Sequence, residues 1–199
     1  MSDPQPRQPS MFNMRRRMSG LYETRRRRIL EEPRAALDEF GIDYEVAEGH
    51  RQVRARLDDE VRMAVGFTGR VRIFGALLDT LWVTVRGDPG PKPERVAYHF
   101  KRSRFTTRSN EGFAQAAADR ANRDSGVRKL IPKGELRHVR LLLGPNGQRV
   151  EIIPLPGTIT AIFIPPMPPY TVPIRQDEAD AQLQLLLRLT EICGSKEAG

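Results

Sequence analysis

Residues 42–67 read IDYEVAEGHRQVRARLDDEVRMAVGF, and apolar residues take every second position in three successive runs. The runs cover residues 42–46, 53–57 and 61–67, and Gly49-His50 and Asp58-Asp59 separate them. Alternation with a period of two is typical of half-buried strands, and such short turns join antiparallel neighbours. The segment therefore predicts an antiparallel β-meander.

The meander extends toward the C-terminus. Residues 71–74 and 81–85 are more continuously apolar and are predicted to be strands, and 96–100 alternates again after an emphatic Gly-Pro loop at 87–91. Asp79 interrupts the apolar stretch, and a carboxylate there needs either a partner or a turn. We expect a turn at this position.

The remaining elements follow from changes in period. An alanine-rich face over 110–124 predicts a helix that ends at Gly126. Strands at 136–143 and 149–153 flank Asn146-Gly147, a strong hairpin signal, and a third strand follows at 158–164. A last helix is predicted from about Asp177, with acidic residues in its first turn, to Gly194.

These elements predict an α+β fold: two antiparallel β-meanders with a helix between them, covered by N- and C-terminal helices. The segment Pro165-Pro166-Met167-Pro168-Pro169-Tyr170 is expected to be an extended, polyproline-like connector rather than a ligand for a partner. We predict a disordered or basic amphipathic arm over 1–30, one domain over 31–194 and a tail over 195–199.

The basic charge is concentrated in the predicted arm. The chain carries a net charge of +8, and residues 1–30 contribute eight arginines against Asp3 and Glu23. Apolar residues recur at helical spacing between these arginines from Met11 onward. We expect Gly20 to interrupt this helix and a second helix to carry Pro33 in its first turn.

Arginine clusters of this kind have three functional interpretations. They can bind phosphate backbones, lie on an anionic membrane or dock on an acidic protein surface. A loop after the first meander adds a second basic cluster. The candidate partner- or phosphate-binding residues are Arg15, Arg16, Arg17, Arg25, Arg26, Arg27, Arg28, Lys101, Arg102 and Arg104.

No motif for catalysis is present. The sequence lacks a phosphate-binding Gly-rich loop, a dinucleotide fingerprint and a nucleophile elbow. His50, His99 and His138 lack partners at metal-ligand spacing, and Cys193 has no neighbouring base, so no metal site, cofactor or catalytic residue is predicted. The sequence favours a non-enzymatic protein. Without a predicted transmembrane segment or signal peptide, we expect it in the cytoplasm.

Residues 157–174, which precede the last helix, are unusually apolar. They could form core, an apolar surface that contacts a protein partner or a second copy, or a pocket for a small hydrophobic ligand. The candidates for such a surface or pocket are Ile162, Ile164, Met167 and Tyr170.

Over about residues 60–190 the chain resembles an uncharacterised bacterial family, a domain of unknown function. The resemblance rests on the strands around 65–85, the Ala-rich helix at 113–121, the strands over 141–153 and the apolar strand that ends in Ile164-Pro165-Pro166. It implies a small intracellular bacterial protein and supplies no catalytic residue.

Our first functional hypothesis is a binding or assembly module that engages a protein partner or itself, with the basic arm docked on an acidic surface. The first alternative is a nucleic-acid-associated protein that uses the Arg-rich arm. The second alternative is a protein that binds a small hydrophobic ligand.

Overall fold

A computed structural model describes residues 11–72, 75–162 and 167–194. Its helices are α1 (Met11–Glu39), α2 (Gly112–Arg123), α3 (Ser125–Lys133) and α4 (Gln176–Gly194). Its strands are β1 (Tyr44–Val46), β2 (Gln52–Arg56), β3 (Val61–Arg72), β4 (Gly75–Asp88), β5 (Glu94–His99), β6 (Arg104–Thr107), β7 (Leu136–Gly144), β8 (Asn146–Pro154), β9 (Thr158–Ile162) and β10 (Met167–Val172). The α+β class predicted from the sequence is confirmed.

The two predicted runs of strands form one antiparallel sheet. Its order is β1-β2-β3-β4-β8-β7-β5-β6, so the β7–β8 hairpin lies between β4 and β5. β9 pairs with the first part of β4, and β10 pairs with β9. The predicted hairpin is present, but Gly144 pairs with Gly147, so its two loop residues are Pro145 and Asn146 rather than Asn146-Gly147. The sheet is continuous because the long strand β4 pairs with both β8 and β9.

The core lies between one face of the sheet and the helices. Two cross-strand rows supply the sheet side, and α4 supplies the leucines opposite them. The first row is Ala55, Met63, Thr84, Val150, Leu141 and Val96, and the second is Val53, Val65, Trp82, Ile152 and Val139. All eleven side chains are buried.

Hydrogen bonds fix α4 on this face. The Thr190 hydroxyl donates to the carbonyl of Leu186 at 2.7 Å and accepts from the Thr84 hydroxyl at 2.6 Å. The Gln148 amide donates to the Thr190 carbonyl at 3.0 Å. Since these groups are buried, they tie the helix to β4 and β8 at one defined position.

The N-terminal helix differs from the prediction. α1 continues through Gly20 and Pro33, so the expected break and second helix are wrong. A single glycine costs about 1 kcal/mol relative to alanine, which a helix with strong neighbouring helix formers can accommodate. Ile29 and Leu30 are buried in the core, so the boundary predicted between residues 30 and 31 falls inside a core helix.

Two further expectations need correction. Gly126 does not end the helical region, because Asp124 accepts a hydrogen bond from the Val127 amide at 2.9 Å and caps the additional helix α3. Pro165 and Pro166, the first two residues of the predicted Pro-rich connector, lie outside the described residues. The connector's remaining residues belong to β10, a strand at the sheet edge whose pairing shifts register between Met167 and Tyr170. A register shift at an edge is where strands tolerate proline.

Candidate functional site

One face of the sheet points away from the helices. Side chains alternate along a strand, and Thr84 and Gln148 contact α4, so their neighbours Val83, Val85 and Arg149 point to the other side. We call this surface the open face. Most of its side chains are exposed or half-buried. It is the part of the sheet that is accessible to a large ligand.

Arginines recur along two cross-strand rows of the open face. The first row is Arg56, Arg62, Val85, Arg149, Leu142 and Arg95. The second row is Arg54, Ala64, Val83, Glu151, Arg140 and Ala97. Neighbouring strands lie about 4.8 Å apart, so the first row spans roughly 24 Å from Arg56 to Arg95.

The open face has a strong excess of positive charge. Among the side chains that the structure describes, eight arginines of its strands stand against three carboxylates. The arginines are Arg54, Arg56, Arg62, Arg95, Arg104, Arg137, Arg140 and Arg149, and the carboxylates are Glu45, Asp79 and Glu151. A surface of this composition attracts anions.

A buried carboxylate holds two of these arginines together. The Glu151 side chain is 9% exposed, and its oxygens lie 3.1 Å from Nη2 of Arg140 and 2.9 Å from Nε of Arg149. The cluster has a net charge of +1. Because Glu151 orders both guanidinium groups, less side-chain entropy is lost when they bind an anion.

Asp79 orders a third arginine. It lies within β4, not in the predicted turn, and its buried carboxylate pairs with Nη2 of Arg137. Arg137 reaches it because the pairing of β7 shifts register between Leu136 and His138, and such irregularities re-aim side chains. The expectation of a turn was therefore wrong, since the carboxylate has a cationic partner from a distant strand.

His138 lies among these charges. Burial is the main cause that lowers its pKa, and Arg140 lowers it further, while Glu151 acts in the opposite direction. Arg137 and Arg95 add smaller effects in the same direction as burial. The lowered pKa favours the uncharged imidazole. Among the described residues no group of three or more side chains could hold a metal ion.

The predicted basic residues lie on different sides of the sheet. Arg104 begins β6 on the open face, and the exposed residues Lys101 and Arg102 occupy the turn before it. In α1, which packs on β3, Arg25 and Arg26 are half-buried and Arg27 and Arg28 are exposed. The side chains of Arg15, Arg16 and Arg17 are outside the described residues. β3 and β5 are four strand positions apart, so the fold does not bring the two clusters together.

The predicted apolar residues lie near β9 and β10. Ile162 ends β9 opposite Met167, which begins β10, and Ile164 is outside the described residues. Tyr170 is 69% exposed and shares a cross-strand row with Thr160 and Leu77, which is 39% exposed. This end of the sheet therefore presents apolar surface to solvent.

A cavity of about 960 Å³ opens between the start of α2, the end of α4 and the β7–β8 hairpin. Arg62, Arg86, Arg120 and Glu60 line it together with the Phe113 ring and Cys193. Burial raises the pKa of the Cys193 thiol to about 12, so it is not a thiolate nucleophile at neutral pH. Of the four predicted apolar residues, Tyr170 has a described side chain, and it does not line this cavity.

No protein-family model, curated protein or solved structure matches this chain. The resemblance to an uncharacterised bacterial family therefore remains an expectation. No helix in the described residues is long and apolar enough to cross a bilayer.

Sequence reasoning missed most of the open face. It concentrated on the contiguous arginine runs of the arm and assigned no role to the arginines of β2, β3, β5, β7 and β8. The available signal was alternation: in VRAR at 53–56 and in RHVRL at 137–141, arginine alternates with buried apolar residues. Which of these arginines share a surface depends on a strand order that puts β8 and β7 between β4 and β5.

Proposed function

We propose that this protein is a non-enzymatic nucleic-acid-binding module whose open face contacts the phosphate backbone. The observation that carries the proposal is the set of eight strand arginines on one helix-free surface. This develops the nucleic-acid alternative raised by the sequence, but it moves the principal contact from the arm to the sheet.

Order within the arginines supports the proposal. Buried Glu151 and Asp79 hold Arg140, Arg149 and Arg137 at defined positions. A guanidinium group has five N–H donors, so one that is paired with a carboxylate retains donors for phosphate oxygens. Surface arginines without such a carboxylate lose more side-chain entropy when they make the same contacts.

The arm would add to the interface from its edge. Arg27 and Arg28 are exposed on α1, on the β3 side of the molecule, and Lys101 and Arg102 are exposed at the opposite side of the sheet. A strand of nucleic acid that crosses the open face would therefore meet Lys101 and Arg102 at one end, and it would reach Arg27 and Arg28 only by passing around the sheet edge, since α1 packs on the opposite face.

The test is fluorescence anisotropy with a labelled oligouridylate of about 20 nucleotides, longer than the roughly 4–16 that single-strand-binding folds cover. We expect saturable binding whose association constant falls linearly with salt on logarithmic axes. Binding that is absent at low salt, or that does not change with salt, would contradict the proposal.

A second candidate is the assembly module of our first hypothesis. The row Leu77, Thr160 and Tyr170 favours it, because two large apolar side chains are exposed in one cross-strand row, on the two strands that flank β9. Self-association would appear in sedimentation velocity as a mass that rises with concentration, and Tyr170→Ser should reduce it. A constant monomer mass would exclude self-association.

A further inference from the structure

The open face carries apolar side chains as well as arginines. Between the arginines of its two rows lie half-buried apolar residues, which we call the apolar stripe: Ala64, Val83 and Val85 on one side of the Arg149–Glu151 pair of β8, and Leu142 and Ala97 on the other. A ligand that offered phosphates alone would lose hydration of its charged groups against this stripe without a compensating contact.

The twist of the sheet restricts the shape of the ligand. Adjacent strands rotate by roughly 20–25°, so the five steps from β2 to β5 accumulate a rotation on the order of 100°. Duplex DNA is straight over such distances, because its persistence length is about 50 nm. A rigid duplex can touch only part of a surface twisted this far, whereas a flexible strand can follow it.

Unpaired bases would suit the stripe between the arginines. Each base has an apolar face that a duplex hides by stacking and pairing, and a single strand can turn it toward a protein. Arg62 and Arg95, four strand positions or roughly 19 Å apart, would then contact phosphates while bases cover the valines between them.

From this arrangement we infer that the ligand is a single-stranded nucleic acid whose bases lie on the apolar stripe. The inference rests on the proposed function and specifies its substrate class. It also predicts a preference for single strands over duplexes, which is the opposite of what phosphate contacts alone would give. A duplex has the higher charge density, and each contact with it releases more counterions, so a surface that bound only phosphates would prefer the duplex.

The experiment compares three competitors against the labelled oligouridylate at equal ionic strength: the unlabelled strand, a duplex of the same length and long-chain inorganic polyphosphate, which has phosphates but no bases. We expect the single strand to compete at least about tenfold better than either alternative, which corresponds to a difference of about 1.4 kcal/mol in binding free energy.

A matched pair of variants tests the stripe itself. Val83→Thr combined with Val85→Thr keeps the shape and strand propensity of both residues but adds hydroxyl groups. It should weaken oligouridylate binding about fivefold and leave the salt dependence unchanged, since no charge is altered. The control is Val46→Thr in β1, a 37% exposed valine that faces the helix side, which should bind as the unaltered protein does.

The outcomes separate the two claims. If duplex and polyphosphate compete as well as the single strand, the inference is wrong while the proposed phosphate-binding function stands. If the threonine variant binds normally, the stripe does not contact bases and the inference is again wrong. If the labelled strand does not bind at all, the proposed function itself fails.

Discussion

Neutralising two arginines at distant points of the open face tests the phosphate contacts quantitatively. Arg62 and Arg95 belong to the same cross-strand row, and both are exposed. Their strands are four positions apart, roughly 19 Å, so the effects of Arg62→Gln and Arg95→Gln should add. Exposed substitutions of this kind change the free energy of unfolding by less than about 0.5 kcal/mol, so the fold should be retained.

The expected size of the effect follows from counterion release. Each phosphate contact with a single strand contributes about 0.7 to the negative slope of log association constant against log salt concentration. Losing two contacts should reduce that slope by about 1.4. The electrostatic contribution vanishes near 1 M salt, so at about 0.1 M the double variant should bind roughly 25-fold more weakly.

The assay is anisotropy with the labelled oligouridylate between about 0.05 and 0.3 M salt. The control is Arg128→Gln with Lys129→Gln, which removes the same charge from exposed positions on α3, away from the open face. We expect the control to keep the slope of the unaltered protein. Equal slopes for the open-face variant and the control would refute the assignment of the phosphate contacts to this surface.

Three further results follow from the structure. Arg137→Met should lower the free energy of unfolding by about 1–3 kcal/mol in urea denaturation by leaving buried Asp79 without its cation, and adding Asp79→Asn should restore most of it; no recovery would contradict the pairing. Because the pKa of His138 is lowered in the folded state, stability should be full above the unfolded value of about 6.5 and fall as pH drops below it. His138→Asn should reduce that fall between about pH 7.5 and 5.5 in urea titrations, and an unchanged profile would exclude this histidine as its source. Gly90→Ala should lower the free energy of unfolding by about 1–2 kcal/mol, because its φ is 81° and no other atom lies near the new Cβ. Gly157→Ala should lower it further in thermal melts, because at a φ of 76° its Cβ would also lie 2.5 Å from Thr80 Oγ1. Equal losses for the two variants would contradict that contact.

Periodicity accounts for what the sequence could predict of the fold. The alternation over 42–67 predicted β1, β2 and β3 with their turns, and Asn146-Gly147 predicted the β7–β8 hairpin. These signals are local, since they depend on side-chain spacing and on residues that favour turns. The order of the strands is not local, because β4 pairs with β8 rather than with β5, through residues that lie 58 to 70 positions apart in sequence.

The candidate site could not be predicted either, because it also depends on the strand order. Asp79 was expected in a turn, because its partner Arg137 is 58 positions away in sequence and becomes a neighbour only through the strand order. Likewise, nothing in the sequence indicates that Glu151 is buried or that it holds Arg140 and Arg149 together. The contiguous arginines of the arm gave a stronger local signal than arginines spaced through strands.

A truncation that tests the role of the arm must leave the core contacts of α1 intact. A protein that begins at residue 31 would lack Ile29 and Leu30, both buried in the core, so its failure to bind could reflect unfolding. A chain that begins at Tyr22, whose side chain packs partly on the core, would remove the arginines of 15–17 and keep these contacts. We expect this shorter arm to weaken binding without abolishing it.

The most direct test of the central claim is to locate the nucleic acid by nuclear magnetic resonance. Backbone amide shifts of ¹⁵N-labelled protein would be followed during titration with unlabelled oligouridylate. The account predicts that the largest changes fall in β3, β5, β7 and β8, around Arg62, Arg95, Arg140 and Arg149. Changes confined to residues 11–28 of α1, with the sheet undisturbed, would show that the arm alone binds and would contradict the account.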